Sequence, residues 1–510
     1  MALFLKSHGD WGPAYIASVL LLFANVVLGG ATRTGYFADV LLQFFSLPFL
    51  ALAAWLWLDR LTAPPARLSF GLACGAGIAV VGLLIALAQF LPLFGAPGWE
   101  GLSARIAAAG GAGLEGAWTG SSSVDPAASL AALPAVLPPL ALFLLVALLD
   151  EDHRLRFAGW AVGFGILALG LGIAQVMQGP ASPLRFFEIS NRSESVGFFA
   201  NRNHFAAQLY VTFLLGVAWF AARGERVLSH RTPTTQRAIW FALAFSLALL
   251  LLAGIALARS RAGILLLLVA VAGVVAMAPA LLALLSGREA RPRRVRGLVI
   301  LIAAGFVLLV GQLGAGRFLT RFDAGLVDQL RATLNEKTLQ AATEALPFGT
   351  GLGTFTAVFP LYEDGSTLSP QYINRAHDDW LEFFLETGLA GALLLALFLV
   401  WFAERAWRLW SSAVAPGEAR LRLLQQCASL AILLLMLHSV VDYPLRTATM
   451  LAYFAACCAL MTPRSVTGGA RVAEERAPPS ARAGGRPPAP RQAPRGSSRV
   501  RAPEGGVRWS

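Results

Sequence analysis

The stretch LSFGLACGAGIAVVGLLIALAQFLPLF, Leu68 to Phe94, contains no charged residue. It is longer than the roughly 20 apolar residues that carry a helix across a bilayer. A second run, Ile264 to Leu285, is of the same kind. Neither alternates in the manner of an outer-membrane barrel strand. Across 510 residues, 56% are hydrophobic and 14% charged, with mean hydropathy +0.63. A soluble protein of this length needs far more charge to cover its surface. The fold expected is an all-α polytopic membrane protein of about 12 transmembrane helices.

Working outward, spans are expected at Tyr15–Gly30, Phe37–Leu58, Leu68–Phe94, Leu130–Leu149, Phe157–Met177 and His204–Ala222. They continue at Ile239–Ala258, Ile264–Leu285, Leu298–Leu313, Trp380–Phe402, Leu423–Val440 and Thr447–Met461. The fourth carries Pro134, Pro138 and Pro139, so its start is a broken helix or a loop. The first has no small-residue cleavage site after it and is read as a retained span. The four cysteines, Cys74, Cys427, Cys457 and Cys458, fall in apolar runs and read as packing residues.

The net charge is +12, almost all from arginine. With the N-terminus in the cytoplasm, each short inner loop is basic: Arg60 and Arg67, then Arg154 and Arg156, then the loops around Arg231, Arg293 and Arg405. This is a topology signal with headgroup contact, and no basic-aromatic module points to nucleic acid. Both termini are thus expected inside. Three regions are expected: helices over 1–196, a catalytic membrane domain over 197–461, and a disordered basic tail over 462–510. Loop 314–379 is the longest hydrophilic segment between spans and lies outside.

On this topology the unusual polar residues gather at one face. Asn201, Arg202, Asn203 and His204 open one span. Arg259 and Arg261 flank Ser260 in a very short outer turn, where they either snorkel or anchor an anion such as a diphosphate. Arg331 lies in the large loop, and His438 and Asp442 near another outer end. Of six histidines, only His204, His377 and His438 are outside, and His377, at the start of a helix, is the best general base. His204 and His438 read as packing or supporting residues. Asp379, Glu382 and Glu386 share one helical face, either lining a hydrophilic cleft or forming an ion-pair stripe that seats the loop. The glycines of Phe348-Gly-Thr-Gly-Leu-Gly-Thr-Phe offer a weak phosphate-cradle signal.

These pieces occur in a specific order. Gly197-Phe-Phe-Ala-Asn201-Arg-Asn203-His precedes Ser260-Arg261-Ala-Gly and Arg331. Then follow Leu346-Pro-Phe-Gly-Thr-Gly-Leu-Gly, His377, Glu386-Thr-Gly-Leu-Ala-Gly, and His438-Ser-Val-Val-Asp442-Tyr-Pro-Leu. In this the sequence resembles the O-antigen ligase and polymerase superfamily of the bacterial inner membrane, over roughly Gly197 to Met461. The resemblance implies a GT-C-like membrane glycosyltransferase, metal-independent and inverting, working at the periplasmic face without a cofactor. Its donor would be a polyprenyl-diphosphate-linked glycan, and its acceptor lipid A–core, another lipid-linked repeat unit or a protein. Residues matching Arg261 and Arg331 are implied to hold the diphosphate, with Arg259 beside them, and His377 to act on the acceptor. The family often has Asn where Asp378 stands, which leaves open a carboxylate that orients His377 or binds a cation. Asn201, Asn203, Asp378, Asp379, Glu386 and Asp442 are the supporting residues.

The chemistry agrees with the residues. A diphosphate leaving group develops negative charge that fixed guanidinium groups stabilise, and an imidazole accepts the acceptor's proton. A competing reading is a transporter of a small anion or lipid-linked sugar, which wants its charged site near mid-membrane. An envelope scaffold needs neither outward arginines nor a loop histidine.

Overall fold

In the computed structural model, residues 12–33, 36–62, 68–91, 121–187, 192–227, 233–286, 325–364, 373–412, 414 and 417–463 are described. Their regular structure is entirely helical, within one compact unit, Met1–Val466. The elements are α1 (Pro13–Leu28), α2 (Phe37–Thr62), α3 (Phe70–Ala88), α4 (Pro126–Ala132) and α5 (Leu137–Ala147). Next come α6 (Glu151–Gln178), α7 (Arg202–Val227), α8 (Thr234–Ala258) and α9 (Arg261–Ser286). The rest are α10 (Gly325–Glu344), α11 (Phe355–Val358), α12 (Asp379–Ser411), α13 (Ala419–His438) and α14 (Ala448–Met461). Nine helical segments among the described residues are long and apolar enough to cross a membrane; α1 and α14 are apolar but shorter. The expected span Leu298–Leu313, the tail beyond Pro463 and the first part of loop 314–379 lie outside the described residues.

The proline-rich span is a broken helix. A 3-10 segment, Leu133–Val136, joins α4 to α5, with Pro134 at its start and Pro138 and Pro139 opening α5. Proline suits a first helical turn, where its missing N–H removes no bond.

The core forms around α7, 83% of whose span is buried against α6, α8, α9 and α13. Such a helix can carry polar groups only if they meet partners inside the protein. Tyr210 Oη pairs with His438 Nδ1 at 3.1 Å, and Thr212 donates to Gln208 O at 2.7 Å. Helices on both sides of residue 197 share this core: α1 and α5 pack on α14, and α6 on α7.

Cross-helix contacts define two ends of the bundle. At one, Arg154 is fully buried and donates to Leu149 O, Leu460 O and Thr462 O, satisfying the carbonyls where α5 and α14 stop. Arg60 donates to Leu148 O, and Arg420 pairs with Glu151 and Glu225, at the same end. Sequence reading used Arg60 and Arg154 only to orient the chain. The candidate site residues lie at the other end.

The span expected at Trp380–Phe402 is two helices. Within α12, Gly388 adopts φ 58° and ψ −143°, which breaks the rod. The 33-residue element would be about 50 Å long if straight, well beyond a hydrocarbon core of about 30 Å. Gly388 meets Gly349, itself at φ 81°; a Cβ on Gly349 would lie 2.5 Å from Gly388 N. Only glycine allows this backbone approach at positive φ.

Candidate active site

The site is built from the starts of α7 and α12, the turn after α13, and α10. Asn201 caps α7: its Oδ1 accepts from Asn203 N at 2.9 Å. That fixes Asn203, whose Nδ2 donates to Asp442 Oδ2. Asp442 is buried and sits at a convergence. Its Oδ1 lies 3.7 Å from His204 Nε2 and 3.7 Å from His377 Nδ1, and accepts from Tyr443 N at 2.9 Å. Its Oδ2 lies 3.7 Å from Arg331, which also donates to Val441 O at 3.1 Å. The Tyr443 ring stands edge-on between the imidazoles, 4.8 Å from His204 and 4.9 Å from His377. Burial acts to raise the Asp442 pKa, but hydrogen bonds and charge from His204 and His377 outweigh it and hold the carboxyl well below the usual range.

His377 does not start the helix. Asp378 is the N-cap, with Oδ1 accepting from Trp380 N and Leu381 N at 3.0 Å each. Oδ1 of Asp378 is thus engaged in capping, and the carboxylate that faces Nδ1 of His377 is Asp442. His377 itself has φ 61°. The non-glycine residues with positive φ among those described are His377 and Arg259, both candidates from the sequence. Such strained positions cluster where the surroundings over-determine them, as functional sites do.

The acidic face of α12 is an ion-pair knot. Arg446, from the short 3-10 turn Pro444–Arg446, reaches Glu386 at 2.7 Å, Glu382 at 3.5 Å and Asp379 at 3.7 Å. Burial works against its charge; the three carboxylates outweigh that and raise its pKa. Arg375 adds a second cation to Glu382 at 2.8 Å. Asp379 also accepts from Ser439 Oγ and Leu445 N, and Glu386 from Gly353 N. The stripe thus holds two arginines, and Arg375 and Gly353 tie the loop to it. Among the described residues, no group of three or more His, Cys, Asp or Glu is disposed to hold a metal ion.

The glycine-rich loop is not a phosphate cradle. Its amides are bonded within the protein: Gly349 N to Ala345 O, Thr350 N to Leu385 O, Gly351 N to Glu386 O, Leu352 N to Gln89 Oε1 and Gly353 N to Glu386 Oε1. An anion would find no free N–H there.

A second basic cluster adjoins the first through α7. Glu194, 2% exposed, pairs with Arg202 at 3.0 Å and faces Arg259 at 3.8 Å, while Arg185 donates to its backbone carbonyl at 2.9 Å. Ser260 caps α9 by accepting from Gly263 N, which places Arg261 in the first turn. Arg331, His377, His204, Asn203 and Asp442 therefore come together, and Arg259 stands at the neighbouring Glu194 cluster. Glu194, Arg446 and Tyr443 were not singled out from sequence. Tyr443 and Arg446 sit within four residues of Asp442, so the motif pointed at the right turn without ranking its members.

The fold and site define a polytopic helical membrane protein with a cationic, imidazole-bearing site at one end of its bundle. Residues 234–396 match the family model described as O-antigen ligase, roughly a third of the chain. That match supports a place in the O-antigen ligase and polymerase superfamily and a membrane role in joining glycans. The matched segment holds Arg259, Arg261, Arg331, His377 and Glu386; Asn203 and Asp442 fall outside it. No curated protein matches the chain.

Proposed function

We propose that this protein is an inverting glycosyltransferase that moves a glycan from a polyprenyl-diphosphate carrier to an acceptor hydroxyl. The observation that carries the reading is the convergence of His377, His204, Asn203 and Arg331 on the buried carboxylate of Asp442. Asp442 faces Nδ1 of His377, which leaves Nε2 for the acceptor. The acceptor O–H proton passes to Nε2 as its oxygen bonds the anomeric carbon. The bond from that carbon to the diphosphate oxygen breaks, and the diphosphate leaves with the electron pair. One displacement inverts the centre. Arg331, Arg261 and Arg259 neutralise the leaving charge, so the step requires no metal. The ionic groups lie at one end of the bundle, which favours an enzyme over a transporter with a mid-span site.

In this reading 197–461 is the catalytic membrane domain of a twelve-span, GT-C-like bundle in a bacterial inner membrane. The site end is periplasmic and both termini are cytoplasmic, consistent with arginines gathered at the opposite end. Cysteine labelling tests the orientation. Asp364→Cys reacts with an impermeant thiol reagent in cells with an opened outer membrane, and Arg223→Cys does not; the reverse pattern inverts the topology.

The arginines are tested by transfer assays in membranes. Arg331→Ala and Arg261→Ala abolish transfer while the protein still inserts. Arg261→Lys is also poor, because lysine lacks the bidentate fork. Wild-type rates in both alanine variants would remove the diphosphate role.

A further inference from the structure

Glu382 is fully buried in the first turn of α12, and a carboxylate so placed needs a cause. Its neighbours on the stripe direct their oxygens elsewhere. Asp379 accepts from Ser439 and Leu445, and Glu386 from Gly353. Arg446 lies 2.7 Å from Glu386 and 3.5 Å from Glu382. Glu382 reaches back toward the loop. Its Oε1 accepts from Arg375 Nη1 at 2.8 Å, and its Oε2 from Ala376 N at 2.9 Å. One carboxylate thus grips the two residues directly before His377, one by its side chain and one by its backbone.

The grip extends away from α12. Asn374 Nδ2 donates to Thr32 O at 3.2 Å and Arg375 Nε to the same carbonyl at 3.4 Å. Residues 374–376 are therefore pinned between α12 and the connection from α1 to α2. On the other side of His377, Asp378 caps α12, and Asp379 N donates to Ser439 O at 2.9 Å, which ties the helix start to the turn leading to Asp442. Between these anchors His377 has φ 61°. A non-glycine residue leaves the left-handed region unless its neighbours fix it there. Leaving it would swing the imidazole away from Asp442. The 3.7 Å from Nδ1 to Asp442 Oδ1 is too long a contact to fix the ring by itself, so the backbone sets its place.

We propose that Glu382 is a positioning residue for His377: through Arg375 and the Ala376 amide it holds the base in the left-handed backbone that turns its ring to Asp442. This rests on the glycosyltransferase reading and gives that reaction a second carboxylate. Asp442 faces the ring, and Glu382 sets the backbone that carries it. Such a clamp acts on the rate of the chemical step, where a small displacement of the base is costly, and not on substrate binding.

The test measures kcat and KM of the purified full-length protein. The donor is a polyprenyl-diphosphate-linked glycan; the acceptor is lipid A–core or a second lipid-linked unit, whichever the wild type uses. An amide keeps one acceptor oxygen and turns its NH2 toward the other donor. Glu382→Gln therefore lowers kcat about 10–100-fold, the loss from a misplaced base, and leaves both KM values unchanged. The decisive comparison is a double variant. Adding Glu382→Gln to His377→Ala removes nothing further, because the clamp has no task once its imidazole is gone. A residue that only supports the fold multiplies the two losses instead. Arg375→Gln breaks the outer half of the clamp while Glu382 keeps Arg446, and it gives the same split and the same non-additivity. It carries the test if Glu382→Gln unfolds. Losses that multiply, a raised KM at unchanged kcat, or a wild-type kcat in both single variants each overturn the clamp and leave the role of His377 standing. Full transfer by His377→Ala overturns the base itself, and the clamp with it.

Discussion

His377→Ala lowers turnover by about 10²–10⁴-fold, the range that proton transfer supplies. Donor binding largely survives, because the proposed mechanism gives the diphosphate to the arginines and not to the imidazole. His438→Ala is milder: its imidazole pairs with Tyr210 inside the bundle. His204→Ala is also milder than His377→Ala, although His204 shares Asp442 with the base. The wild-type rate falls on acidification, since an imidazolium accepts no proton. Asp442→Asn separates the positioning role from the chemical one. The amide cannot offset the positive charge that forms on the imidazole as it takes the proton, so the maximal rate drops. Purified enzyme with lipid-linked donor and acceptor gives both measurements. Full activity in His377→Ala would end the assignment of a base, and a wild-type maximal rate in Asp442→Asn would end that of its orienting partner.

Arg446→Met destabilises the site end of the bundle by about 3–5 kcal/mol, the scale of removing one partner from a buried ion pair. Glu386 and Asp379 lose their shared cation, whereas Glu382 keeps Arg375. The effect is read as a lower unfolding midpoint of the purified protein. Adding Glu386→Gln to Arg446→Met recovers part of the loss, because one of the two carboxylates left without a cation is then neutral. A single variant as stable as wild type would show that the knot contributes nothing net. Glu386 also holds Gly353 through its Oε1, so the damage extends to the loop that docks against Gly388.

Legibility differed among these residues for physical reasons. His377 and Arg259 stood out because a charged or titratable side chain at a membrane boundary is costly and needs a cause, whereas Arg331, in the large loop, drew its role from the family resemblance. Glu194 did not stand out, because a single acidic residue in a polar loop carries no such cost until folding buries it among arginines. The glycines of the 349–353 loop were visible, yet their role was not. A run of glycines states that the backbone must turn or approach something closely, and only the fold says whether that is a phosphate or, as here, the kink of α12.

The sequence by itself determined the helical membrane class, most span positions and the end at which the polar residues gather. Those properties follow from hydropathy and charge, which are local and additive along the chain. The tertiary structure alone decided which carboxylate serves which group. Asp378, next in sequence to His377, turns to cap its own helix, while Asp442, 65 residues away, meets the imidazole. Side-chain pairing depends on where helix ends meet in space, and no spacing along one chain specifies that.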